Sequence, residues 1–211
     1  MYMLYEYLLK TYGENEPIIL SDVMKKINMS ENNIRQQIKK MTDIGQIKRY
    51  DTGIYFIPKK TMFKSGSQLS MRRVIEEKYL KEDSKRCGYI SGITFANQLG
   101  ITTQVGMVYE IVTNKATNDY RELTLANSKI IVRKPRTKVN EENYRMLQFL
   151  DLIKDIDFLA ESSGEELKQQ LLSYMNSNSI KFSELEKYLS YYPDRIYKNL
   201  FEARLLYGVS S

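Results

Sequence analysis

Histidine and tryptophan are absent from this 211-residue chain, cysteine occurs once and proline four times. Without imidazole the commonest general base is missing, and the usual serine or cysteine triads cannot be assembled. The single thiol, Cys87, admits no intrachain disulfide, and a zinc site would have neither paired thiolates nor imidazoles. No hydrophobic run approaches a membrane span. The amino-terminal MYMLYEYLLK is apolar enough to suggest a signal peptide, but Glu6 interrupts it and no basic segment or small-residue cleavage site follows. A helix of a cytoplasmic protein is the expectation.

What is present has ordinary proportions. With 42% hydrophobic and 27% charged residues, the composition argues against long disordered tracts, and the length suits one large domain or two small ones. The net charge of +6 is unevenly spread. Residues 1–64 carry eleven Lys and Arg against seven Asp and Glu, residues 65–139 thirteen against seven, and residues 140–211 eight against twelve. Two basic segments thus precede an acidic one, a balance that fits a protein meeting a polyanion.

Leu4, Tyr5, Leu8, Leu9 and Tyr12 recur at helical spacing before Gly13, which predicts an amphipathic helix over residues 2–12. Ser21 reads as the N-cap of a short second helix with Val23, Met24 and Ile27 inward, and Ser30 as the cap of a third. In that third helix Ile34, Ile38 and Met41 form one stripe. Asn32, Gln36, Lys39 and Lys40 are thereby turned outward, with Asn33 and Arg35 flanking them. Residues 46–57 are rich in β-branched and aromatic types around Asp51, Thr52 and Gly53, a hairpin signal closed by Pro58.

Three short helices followed by a hairpin within about sixty residues is the order of a winged helix-turn-helix, whose second motif helix enters the major groove of duplex DNA. Side-chain chemistry agrees with that docking. Asn32, Asn33, Arg35 and Gln36 can pair with base edges, Lys39, Lys40, Lys48 and Arg49 suit phosphates, and Tyr50 and Thr52 near the hairpin tip reach backbone or minor groove. The competing reading is a winged-helix adaptor that binds proteins instead.

Residues 59–70, KKTMFKSGSQLS, lack periodicity and are expected to hold a domain boundary, with one domain over 1–64 and another over 65–211. Ser70 then caps a helix to about Lys81. From Gly88 to Thr113 the pattern is a small-residue turn, a short helix closed by Gly100, and a strand at 108–113. A strand pair follows, around Leu123 and Leu125 and then Ile130 to Val132, ending in the basic run Lys129, Arg133, Lys134, Arg136 and Lys138. That run reads by default as a solvated strand end, and the sharper alternatives are a surface for an acidic partner protein or an extension of a DNA footprint. Beyond Glu141 the pattern is helical and acidic: Tyr144, Leu147, Leu150, Ile153 and Phe158 define one helix, Leu167 to Met175 a second, Leu185 to Leu189 a third, and Ile196, Leu200 and Leu205 a last. The expected class is α+β, a winged helix-turn-helix followed by a mixed α/β domain with a small sheet and a helical carboxy-terminal part.

The stretch YISGITFANQLGITTQV, followed by the strand VYEIVTN, resembles the AbiE-type antitoxin family of transcriptional regulators. Tyr89, Ser91, Gly92, Leu99, Gly100, Thr102, Gln104 and Val105 match its motif; Gly106 departs from it, where the family has proline. The resemblance implies that the winged helix represses its own operon by binding promoter repeats. It also implies that the carboxy-terminal domain counters a nucleotidyltransferase-like toxin, as in type IV toxin–antitoxin systems of abortive infection. On packing grounds the matching residues mark a domain and not an active site, for a helix with Phe95, Ala96 and Leu99 inward and glycines at its ends needs no ligand.

Asp155 and Asp157, with Asp151 a turn earlier, admit a magnesium-dependent nucleotidyltransferase as a further alternative. That chemistry also needs a Gly-Ser turn about a dozen residues upstream to hold phosphates, and EENYRMLQFLDL occupies that span. Cys87 beside Arg86 carries a hint of a lowered thiol pKa. The expectation is a regulator without catalytic residues, metal or cofactor, whose partners are duplex DNA at its own promoter and a cognate toxin.

Overall fold

The computed structural model describes residues 2–60 and 67–205. By compactness the chain divides into Met1–Lys78 and Tyr79–Ser211. Half of the expected linker, residues 61–66, lies outside the described residues. Residues 67–78, expected to open the second domain, group instead with the first unit, where Arg73 Nε donates to Glu16 Oε2 at 3.1 Å.

In the first unit, helix α1 (Tyr2–Tyr12) ends at Gly13, whose φ of +81° reverses the chain in a conformation that side chains with a Cβ rarely adopt. Strand β1 (Ile18–Ile19) leads directly into α2 (Leu20–Lys26), and α3 (Glu31–Asp43) follows. Ser21 therefore lies inside α2 and is not its cap; its hydroxyl turns to Asp22 Oδ1 at 3.4 Å. Ser30 does occupy the N-cap position of α3, without a side-chain capping bond. Strands β2 (Lys48–Asp51) and β3 (Ile54–Phe56) form the expected hairpin, and β1 adds to the far side of β3, giving the antiparallel order β1-β3-β2. Leu4, Leu8, Ile18, Val23, Ile34, Ile38, Met41, Ile47 and Ile57 make one buried core, which fixes how α3 is rolled against its neighbours. Helix α4 (Met71–Ile75) continues as a π-helical turn, Glu76–Leu80.

The second unit begins with a two-stranded ribbon, β4 (Lys81–Glu82) and β5 (Lys85–Arg86). Its main sheet has the order β6-β7-β9-β8, from β6 (Gly88–Ser91), β7 (Tyr109–Thr113), β8 (Tyr120–Leu125) and β9 (Ser128–Arg133). Gly88–Ser91 is thus an edge strand, where the sequence suggested a small-residue turn. The β7–β9 pair is parallel and the other two are antiparallel. Ala126 and Asn127, both with positive φ, make the tight β8–β9 turn that matches strand twist. Helix α5 (Gly92–Gln98) connects β6 towards β7.

Helices α6 (Tyr144–Lys154), α7 (Ile156–Leu159), α8 (Gly164–Ser177), α9 (Phe182–Leu189) and α10 (Arg195–Glu202) complete this unit. They bury Leu147, Phe149, Leu150, Leu171, Leu185, Ile196 and Leu200 together with Tyr89 and Val112 of the sheet. The expected single helix through Phe158 is broken at Asp155, and Phe158 is exposed and not inward. Mixed α and β structure with small sheets is the observed class.

Candidate nucleic-acid interface

The roll of α3 decides what it offers to solvent. Ile34, Ile38 and Met41 are at most 2% exposed, so the opposite side of the helix is pushed outward. With 100° between successive residues, Asn32, Gln36 and Lys39 fall on the line diametrically opposite this stripe, and all three are exposed. Arg35 lies on one flank, Asn33 and Lys40 on the other, all exposed as well.

Local partners separate these side chains into two kinds. Arg35 is paired with Glu31 one turn earlier, at 2.9 Å. Asn33 Oδ1 accepts from Gln37 Nε2 at 3.0 Å, and the same Gln37 nitrogen lies 3.4 Å from Met29 Sδ. Asn32, Gln36, Lys39, Lys40 and Lys48 have no side-chain hydrogen bond or ion pair among the described residues. The i, i+4 spacing of Glu31 and Arg35 makes their pairing legible in the sequence.

At the hairpin, Gly53 adopts φ +70° and turns the chain. Arg49 is not an extended finger: Nε donates to the Asp51 carbonyl at 3.3 Å and a terminal nitrogen to Thr52 Oγ1 at 3.0 Å. Thr52 N donates in turn to Asp51 Oδ1 at 2.6 Å. The pairing shifts register between Arg49 and Asp51, so Tyr50 sits in an irregularity of β2, partly buried. Lys48, opposite Phe56, stays exposed.

The basic run of the second unit presents a different picture. Lys129 Nζ lies 2.6 Å from Glu122, and Arg133 pairs with Glu110 at 3.3 Å while stacking 5.2 Å from the Tyr120 ring centre. Lys134 faces Asp119 at 3.8 Å. Arg136 reaches Asp151 at 4.0 Å, the Tyr191 carbonyl at 3.1 Å and the Tyr192 ring at 4.9 Å. Lys138 alone of the five is exposed without an ion pair among the described residues. Four of the five cations are thus engaged inside their own unit.

The three aspartates considered for metal chemistry are similarly committed. Asp151 is buried, accepts from the Tyr89 hydroxyl at 2.7 Å and lies 3.8 Å from Lys154. Burial pushes its carboxyl above the ordinary range, against the opposing pull of Lys154, Tyr89 and Arg136. Asp155 pairs with Lys154 at 2.9 Å and Arg195 at 2.5 Å, and Asp157 faces Lys198 at 4.0 Å. Burial also pushes the Cys87 thiol up, outweighing the opposing influence of Lys115 and Thr113, which reverses the hint drawn from its neighbour Arg86.

Among the motif residues, Ser91 is the N-cap residue of α5, and Gly92 (φ +64°) passes so close to Glu110 that a Cβ would lie 2.5 Å from Oε1. Gly100 has φ +71°. Thr102 donates to Glu161 Oε1 at 2.7 Å, and the Thr103 amide and hydroxyl both donate to Oε2 at 2.9 Å. Gln104 N donates to Thr102 Oγ1 at 3.1 Å, while Val105 is exposed. Glu161, which these donors hold below the ordinary carboxylate range, lies far along the chain from the motif it staples and had no local signature. No family model matches this chain, and no curated protein matches it in sequence. Among the described residues no helix is long and apolar enough to cross a membrane.

Proposed function

We propose that this chain is a DNA-binding transcriptional regulator of the cytoplasm, whose first unit is a winged helix-turn-helix that docks α3 in the major groove. The single observation that carries this reading is the outward line of α3. Two amides and a lysine stand there in solvent without internal partners, backed by a helix whose other side is locked into the core. Lys40 and Lys48 add free cations beside it, suited to phosphates. Lys39 and Lys40 supply affinity through counterion release, and the hairpin with Arg49, Tyr50 and Thr52 is the wing.

The second unit we propose as the antitoxin part of an AbiE-like system, on the resemblance around Tyr89 to Val105. It counters a nucleotidyltransferase-like toxin and does no chemistry of its own. The carboxylates of Asp151, Asp155 and Asp157 support that division, since each faces a cation where a magnesium-dependent transferase would want them free.

The test is an anisotropy titration of the full chain against the duplex upstream of its own gene, over a salt series. Binding that tightens at low salt and exceeds that of a scrambled duplex is the expected result. Salt-insensitive or undetectable binding to both duplexes overturns the DNA reading in favour of a protein adaptor, and equal but salt-dependent binding to both overturns the promoter-specific regulator while leaving DNA binding. For the second unit, co-expression with the adjacent gene product should relieve its toxicity, and failure to do so removes the antitoxin assignment alone.

A further inference from the structure

From the pairing pattern on α3 we infer that the DNA sequence read by this protein is centred on adenine–thymine pairs, recognised by Asn32 and Gln36, with Arg35 withheld from guanine by Glu31. This rests on the proposed DNA-binding reading and adds to it the chemical identity of the bases.

A carboxamide pairs bidentately with adenine, accepting from N6 and donating to N7, and it needs both its oxygen and its nitrogen free to do so. Asn32 and Gln36 meet that condition. Asn33 lies on the flank, and its side chain is turned towards Gln37, whose nitrogen donates to its oxygen at 3.0 Å. The two free amides sit one turn apart on the outermost line of the helix, about 6 Å along its axis, against about 3.4 Å per base step. They therefore address two positions one to two steps apart. Lys39 continues the line, and Asp43 beyond it, exposed and negative, marks where the helix must rise away from the phosphates.

Arginine is the usual reader of guanine through O6 and N7. Arg35 is positioned for this on the flank, yet its guanidinium is held by Glu31 at 2.9 Å. Such a pair is weak in water. Beneath a duplex that excludes water and brings phosphates near, releasing Arg35 would leave the Glu31 carboxylate unpaired in a negative field, so the pair tightens on docking. Glu31 thus acts as a specificity determinant by drawing one terminal nitrogen of the guanine-reading fork to itself.

The experiment is selection of bound duplexes from a randomised pool by the full chain, repeated with Asn32→Ala, Gln36→Ala and Glu31→Gln, each checked for an unchanged melting profile. Enrichment of adenine at two neighbouring positions is expected, each alanine variant relaxing one of them. In the selected duplex, replacing either adenine by 7-deazaadenine, which lacks the N7 acceptor, should weaken binding roughly 5- to 150-fold. Glu31→Gln should add a guanine preference beside them, a gain that misfolding cannot imitate. Selection of G·C pairs at these positions by the unaltered protein, or indifference to 7-deazaadenine, overturns this inference while leaving DNA binding in place. A pool from which nothing is retained sinks both.

Discussion

Asp151 is the residue whose setting is least ordinary. It is 7% exposed, its charge is opposed by desolvation, and its nearest donor is a tyrosine that is itself buried. Removing that donor in Tyr89→Phe leaves a buried carboxylate oxygen short of a partner and should cost about 1–3 kcal/mol in urea denaturation. The raised folded-state pKa also fixes a sign. A carboxyl whose pKa is higher folded than unfolded favours the folded state below its ordinary value of 3.8 and loses that contribution as pH climbs through the raised value. The stability of the native chain relative to Asp151→Asn should therefore fall as pH increases across that window. Denaturation of both proteins at several pH values measures it, and a difference that grows with pH would show that Lys154, Tyr89 and Arg136 outweigh burial. None of this was legible beforehand, because Tyr89 and Asp151 meet across a sheet and a helix with no local pattern joining them.

Elements were legible in proportion to their periodicity. Helix α1 and the core stripe of α3 follow from apolar residues at intervals of three and four, and the β2–β3 turn from Asp51, Thr52 and Gly53. Strand β1 escaped because two residues have no period, and β6 because Gly88 and Ser91 bracket it with turn-forming types. The parallel β7–β9 pairing is a tertiary choice that neither strand announces. On α3 the same periodic logic yields a contrast. Ile38, 2% exposed, cannot be shortened without a cavity, and Ile38→Ala should destabilise by about 2–5 kcal/mol. Ile44, just past the helix and 59% exposed, should tolerate Ile44→Ala within about 0.5 kcal/mol. Equal losses in the two variants would mean that α3 is rolled differently, and the outward line of Asn32, Gln36 and Lys39 would fall with it.

At the scale of the whole molecule, the net positive charge gathers in the first unit, because the second joins a basic stretch to an acidic one. Residues 1–78 hold fourteen Lys and Arg against nine Asp and Glu, while residues 79–211 hold eighteen against seventeen. The basic run at 129–138 looked like a second positive surface in the sequence, but its charges are largely answered by carboxylates that come from distant positions, such as Glu110 and Asp151. A cation already paired adds little counterion release when DNA arrives, whereas an unpaired one contributes about 0.9 to the slope of log K against log salt. Replacing Lys39 and Lys40 by alanine should therefore flatten that slope by roughly 2 and weaken binding to all duplexes alike. Replacing Lys129, Lys134 and Lys138 by glutamine removes more charge yet should leave the slope changed by no more than about 1, the share of Lys138 alone. If the second set flattens the slope more than the first, DNA lies across the β8–β9 end of the second sheet, and α3 is not the principal contact.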